Sequence, residues 1–299
     1  MAADNVNERV ERRLIETPAC RLEVFIGGPM TPQGPTLCAA HPAGVFAEGA
    51  VDLLRAVGNT SVVCVNPRGI GMSSAALSED SRYSLESMVE DLEAVRHHLG
   101  VGDWVFWGLS GGGWLGLAYA LRHREALTAL ILESVCGCFR ARLADPACIL
   151  SPFHSSWQPA LEKQGLIDRD AHRVVGDATA TEWLEVHGVG SVFRRRQGPA
   201  LLVSPMPVAP EMRAAMPLLW TVDFRSSLRE IDTPALVIAG GSDPIAPLSH
   251  VRSLHEGIAT SRFLVVEGAG HVPTTERRGE VRDGVRTFLG EVGRLTPGS

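Results

Sequence analysis

Three residues suited to nucleophilic chemistry stand in this chain, each in a short polar break after an apolar run: Ser110 in FWGLSGGGWLG, Asp243 in ALVIAGGSDPI and His271 in RFLVVEGAGHVP. A serine hydroxyl is a weak nucleophile at neutral pH and needs a base, which itself needs a group to orient it and to balance its positive charge. Hydroxyl, imidazole and carboxylate together support acyl transfer. Taken singly each has a plain reading, since Asp before Pro is common in turns and a histidine among glycines is usually polar surface. Their succession at the ends of strand-like runs sets them apart.

Those ends require a scaffold. RLIET and RLEVFI read as a leading hairpin, followed by strand-like TLCAA, SVVCVN, WVFWGL, ALILESV, ALVIAGG and RFLVVEG. Helical stretches are predicted near 46–57, 84–99, 111–123, 246–258 and 276–290. Continuously apolar strands joined by helices indicate an α/β fold, a mostly parallel sheet covered on both faces, with ligands at the carboxyl ends of the strands. The interval from Asp243 to His271 holds one helix and one strand, as neighbouring sheet positions require. The alternation breaks over 138–225, which reads as a helical insertion after the sixth strand, forming a cap over a core of 1–137 and 226–299.

Ser110 stands in G-x-S-x-G, between an apolar strand and the helix-compatible WLGLAYALRH. Glycine inside regular structure costs about 0.5–1 kcal/mol relative to alanine, so such a cluster predicts a tight strand-to-helix turn, with the glycines as steric clearance. A phosphate loop would need G-x-x-x-x-G-K-[ST], which is absent.

These motifs, with AHPAG after the third strand and NPRGIGMS after the fourth, resemble the α/β-hydrolase family along nearly the whole chain. In motif the chain is similar to the proline-iminopeptidase-like and esterase-like members. The resemblance implies Ser110 as nucleophile, His271 as base and Asp243 as its partner, in the family's chain order. It also implies an oxyanion hole of backbone amides, one from Gly111 and one from the loop after TLCAA. Pro42 has no N–H, which assigns the second donor to Ala43, with Gly44 behind it. Asn66 stands where the family usually has Asp, and Arg68 is expected to brace a tight loop beneath the site.

The cap's Trp157, Trp183 and Trp220, with Trp114 beside the serine, are candidates to line an apolar substrate pocket. That favours a hydrophobic carboxylic ester, lactone or thioester. An aminopeptidase would need carboxylates for the free amine, for which Glu162, Glu182, Glu185 and Glu211 are available, although helical glutamates are usually solvated faces. Arg194–Arg196 likewise offers an anion contact or a wet helix surface. A carbon–carbon hydrolase, an acyl transferase and a binding protein without turnover remain alternatives on the same fold.

Among the 299 residues 45% are hydrophobic, and the net charge of −6 argues against nucleic-acid and anionic-membrane partners, leaving a small-molecule substrate. The N-terminus mixes charges without a signal-like apolar run, and no stretch reaches membrane-span length, which places the protein in the cytoplasm by expectation. The six cysteines read as free thiols, Cys136-x-Cys138 has no zinc-spaced companion, and neither metal nor organic cofactor is required.

Overall fold

The computed structural model describes residues 10–28, 35–42, 44–58, 60–74, 83–156, 158–163, 165, 167–168, 173–174 and 221–295. β1 (Glu11–Glu16) and β2 (Arg21–Gly27) form the leading hairpin, closed where the Thr17 amide and hydroxyl donate to the Cys20 carbonyl at 2.9 and 2.7 Å. β3 (Thr36–Ala40), β4 (Ser61–Asn66), β5 (Trp104–Leu109) and β6 (Leu127–Glu133) follow. The short β7 (Ile167–Asp168) and β8 (Arg173–Val174) pair only with each other, and β9 (Ala235–Gly240) and β10 (Ser261–Val266) complete the main sheet. Its order is β1-β2-β4-β3-β5-β6-β9-β10, antiparallel through β1, β2 and β4 and parallel from there on. The carboxyl ends of β3 to β6, β9 and β10 therefore share one edge.

The helices are α1 (Glu48–Gly58), α2 (Leu85–His98), α3 (Gly111–Arg122), α4 (Phe139–Ala144), α5 (Gln158–Lys163), α6 (Leu248–Gly257), α7 (Pro273–Glu276) and α8 (Arg278–Leu295). The helix predicted near 276–290 is found as α8, beginning two residues later, with the short α7 ahead of it. Pro273 opens the short α7, Arg277 leaves helical geometry at φ −137°, and α8 restarts at Arg278. Period-two alternation separates the two cores: on β5, Trp104 and Phe106 pack with residues of α2 and α3, while Val105, Trp107 and Leu109 pack with those of α1 and α8.

The loop after β4 is braced from inside, as expected. Buried Arg68 meets Asp91 of α2 through two bonds of 2.7 Å, and Ser84 caps that helix by accepting the Ser87 amide at 3.2 Å. Asn66 has a local reason: its amide donates to the buried Glu23 carboxylate at 2.8 Å, where an aspartate would repel.

The chain leaves the core after β6 and returns close by. Cys138 bridges Asp223, and the Phe224 amide donates to the Gly137 carbonyl at 2.8 Å, so the two ends of the long segment are paired. Within it the short β7 and β8 pair antiparallel, Ile167 opposite Val174 and Asp168 opposite Arg173.

Candidate active site

Ser110 sits between β5 and α3 at φ 51° and ψ −118°, a conformation that costs a non-glycine residue about 1–3 kcal/mol and persists only where the surroundings enforce it. They do: the Ser110 amide donates to the Glu133 carbonyl at 2.8 Å, and the Gly113 amide returns to the Ser110 carbonyl at 3.0 Å. A Cβ on Gly108 would fall 2.5 Å from Gly113 Cα, and one on Gly113 would fall 2.2 Å from the Val135 side chain. The glycines flanking the serine are what let strand, turn and helix approach so closely.

Asp243 follows β9 and His271 follows β10. The two loops touch because Gly240 has no side chain: a Cβ there would lie 1.9 Å from the Gly270 carbonyl oxygen. The Ser242 amide donates to the Ala269 carbonyl at 2.8 Å, which fixes one loop against the other. His271 Nδ1 then lies 2.8 Å from Asp243 Oδ2, while Asp243 Oδ1 accepts the Ile245 and Ala246 amides at 2.8 and 3.0 Å. Both side chains are buried. Burial alone would raise the Asp243 pKa, but the charge and hydrogen bond of His271 and the two amides outweigh it and hold the carboxyl below its ordinary range.

Two groups here are given no role by the sequence. Glu133, fully buried at the end of β6, accepts the Thr274 amide and hydroxyl, each at 2.7 Å, and the Trp107 indole N–H at 3.0 Å. Burial raises its pKa against those bonds and against the nearby His271. A glutamate ending an apolar strand was the available signal, though nothing local names its partners. His41 is the second: a Cβ on Gly111 would lie 3.4 Å from His41 Nε2, so the imidazole rests against the turn of Ser110. Burial and the neighbouring His271 pull its pKa down to about 3, keeping it neutral.

Gly111 opens α3, where first-turn amides lack intrahelical acceptors. Ala43 lies outside the described residues. Gly44 turns its amide toward the His41 carbonyl at 3.4 Å, which weakens it as a substitute donor. Trp114, in the first turn of α3, is buried, its indole N–H on the Cys136 carbonyl at 2.9 Å and its ring edge-on to Phe139. Trp157, Trp183 and Trp220 lie outside the described residues. Among the described residues no group of three His, Cys, Asp or Glu side chains is placed to hold a metal, all six cysteines are buried and unbridged, and no helix is long and apolar enough to cross a membrane.

A strained serine after β5, with an imidazole–carboxylate pair at the same sheet edge, is the architecture of an α/β hydrolase. Residues 40–162 match the family model described as alpha/beta hydrolase fold, and residues 213–295 match that described as TAP-like protein. The chain belongs to the α/β-hydrolase family. It is 28% identical over 271 residues to the pimeloyl-[acyl-carrier protein] methyl ester esterase of Aeromonas hydrophila subsp. hydrophila, spanning 86% of this chain and 96% of that one. It is 22% identical to the proline iminopeptidase of Lactobacillus delbrueckii subsp. lactis, over 76% of this chain and 80% of that protein. An alpha/beta fold family hydrolase from Bacillus anthracis str. Sterne superposes with a TM-score of 0.69 at 22% identity, covering 95% of this chain and 99% of that one.

Proposed function

We propose that the protein is a serine hydrolase that cleaves a carboxylic ester, lactone or thioester of a small, largely hydrophobic substrate through an acyl-enzyme on Ser110. The observation that carries this reading is the buried His271–Asp243 pair at 2.8 Å, at the sheet edge that also presents the strained Ser110. With Nδ1 turned to Asp243, Nε2 is the nitrogen that takes the Ser110 proton as Oγ attacks the carbonyl carbon. His271 then passes that proton to the leaving oxygen or sulfur, and a water activated by the same imidazole releases the acid and restores Ser110. The Gly111 and Ala43 amides receive the charge that develops on the carbonyl oxygen. Segment 138–225 caps the site, and its tryptophans supply apolar lining. No cofactor enters this scheme, and the cytoplasm is its proposed location.

An ester hydrolase is preferred to an aminopeptidase. Glu182, Glu185 and Glu211 lie outside the described residues and Glu162 accepts the Gln158 amide at 2.9 Å, so the choice rests on the relatives and not on the glutamates. The similarity to a methyl ester esterase supports the same choice. The test is a fluorophosphonate probe together with p-nitrophenyl esters of graded chain length and prolyl arylamide. Labelling and ester turnover should both vanish in Ser110→Ala; equal labelling of wild type and variant removes Ser110 from its role, and arylamide turnover above ester turnover reverses the substrate assignment.

A further inference from the structure

Between β10 and α7 the chain that carries His271 runs as a loop over 267–272, and α7 itself is four residues long. Glu276, the last residue of α7, turns its carboxylate back onto this loop. Its Oε2 accepts the Gly270 amide at 2.8 Å and its Oε1 accepts the Val272 amide at 3.2 Å. Those are the amides on either side of His271. A carboxylate has two oxygens and so can serve both at once. The Glu276 amide closes the ring by donating to the Val272 carbonyl at 3.1 Å.

These contacts fix the backbone through the imidazole's point of attachment. The Gly270 N–H belongs to the peptide plane before Gly270, and the Val272 N–H to the plane after His271. The plane between them presents the Gly270 carbonyl, which packs against the bare Cα of Gly240. With three successive planes held, the Cα–Cβ bond of His271 has one direction. Asp243 then holds the ring at Nδ1, 2.8 Å away. A single hydrogen bond would let the imidazole pivot about that contact; a fixed backbone supplies the second point. Capping of a short helix accounts for the Val272 contact, because Val272 is the N-cap of α7. It does not account for the buried Gly270 amide, which lies two residues ahead of that cap.

We propose that Glu276 is a positioning residue for the base: by holding the amides that flank His271 it sets where Nε2 meets the Ser110 hydroxyl. The inference rests on the reading of Ser110 as nucleophile and His271 as its base. Glu276 touches neither substrate nor reacting atoms, and it acts through the geometry of His271, where displacements of an ångström are costly to the rate.

The test uses the full chain and compares Glu276→Ala, Glu276→Gln and Glu280→Ala, the last an exposed glutamate of α8 as control. Fluorophosphonate labelling rates, and kcat and KM on the best-hydrolysed p-nitrophenyl ester, are read beside melting temperatures. Glu276→Ala should lose about tenfold or more in labelling rate and kcat, with KM within about twofold of wild type. Glu276→Gln keeps one acceptor oxygen and should fall between the two, while Glu280→Ala should match wild type. A lowered melting temperature with labelling and kcat unchanged marks a capping role and overturns the proposal. So do a raised KM at unchanged kcat, a Gln variant no better than Ala, and an equal loss in Glu280→Ala. Should Glu276→Ala fail to fold, Glu276→Gln decides, and wild-type labelling and kcat in that variant overturn the proposal. Ser110→Ala is run alongside: labelling that survives in it, or none in wild type, sinks the Ser110 reading. Labelling abolished in Ser110→Ala yet equal in wild type and Glu276→Ala sinks the role of Glu276 alone.

Discussion

The Glu133 carboxylate reaches from the end of β6 to the Thr274 amide at 2.7 Å, while the carbonyl of the same residue accepts the Ser110 amide at 2.8 Å. One residue therefore sets the spacing between the turn that presents the serine and the loop that presents the histidine. Glu133→Ala leaves the Thr274 amide and hydroxyl and the Trp107 indole N–H without their acceptor, and is expected to destabilise the fold by about 1–3 kcal/mol and to lower kcat at least tenfold. Glu133→Gln keeps an acceptor and should lose less of both. Urea denaturation and steady-state kinetics on one ester measure the two effects.

Replacing Asp243 by Asn removes the charge that complements protonated His271 and favours the wrong imidazole tautomer, so kcat should fall on the order of 10³–10⁴-fold with the fold retained. The folded-state pKa of Asp243 is lowered, so its ionised form contributes stability above the ordinary carboxylate range, and this is lost as pH falls through the folded value. Acid unfolding followed by circular dichroism should accordingly be shallower in Asp243→Asn; an unchanged acid limb refutes the assignment.

His41 stays neutral in the folded chain down to about pH 3, against an ordinary value of 6.5. Between those limits the unfolded chain binds the extra proton, so stability should decline on acidification by at most about 1.4 kcal/mol per pH unit from this residue. His41→Gln should flatten that decline between pH 6 and 4 in thermal melts, and a slope matching wild type would count against it.

A methyl group on Gly113 would fall 2.2 Å from Val135 Cγ2. Gly113→Ala should destabilise the protein by about 1–3 kcal/mol and abolish probe labelling of Ser110, because the turn must shift. The double variant with Val135→Ala removes the obstructing atoms and should recover labelling; no recovery would mean that the strain lies elsewhere.

Asn66→Asp introduces the residue more usual in this family, yet it sets a second carboxylate beside buried Glu23, whose oxygen lies 2.8 Å from the Asn66 amide. A loss of about 1–3 kcal/mol is expected in thermal or urea unfolding. Adding Glu23→Gln should restore most of it.

The eight strands of the main sheet and the places of Ser110, Asp243 and His271 were legible because each depends on neighbours in the chain: an apolar run of strand length, a glycine cluster, a polar break. The short α7 ahead of α8 was not expected, because four residues are too few to show a helical period. The Trp114 N–H meets a carbonyl 22 residues away, a contact no local pattern announces.

What the sequence determined by itself is the order of elements and the kinds of chemical group at their ends, since period and turn chemistry act over a few residues. The tertiary structure decided which of those groups share a buried volume. Glu133 and Thr274 are 141 positions apart, and they meet because the sheet sets β6 beside β9 and β9 beside β10. The pairing of β3 with β5 likewise brings His41 against Gly111. Solvent exclusion and long-range hydrogen bonding arise only once strands distant in the chain lie side by side.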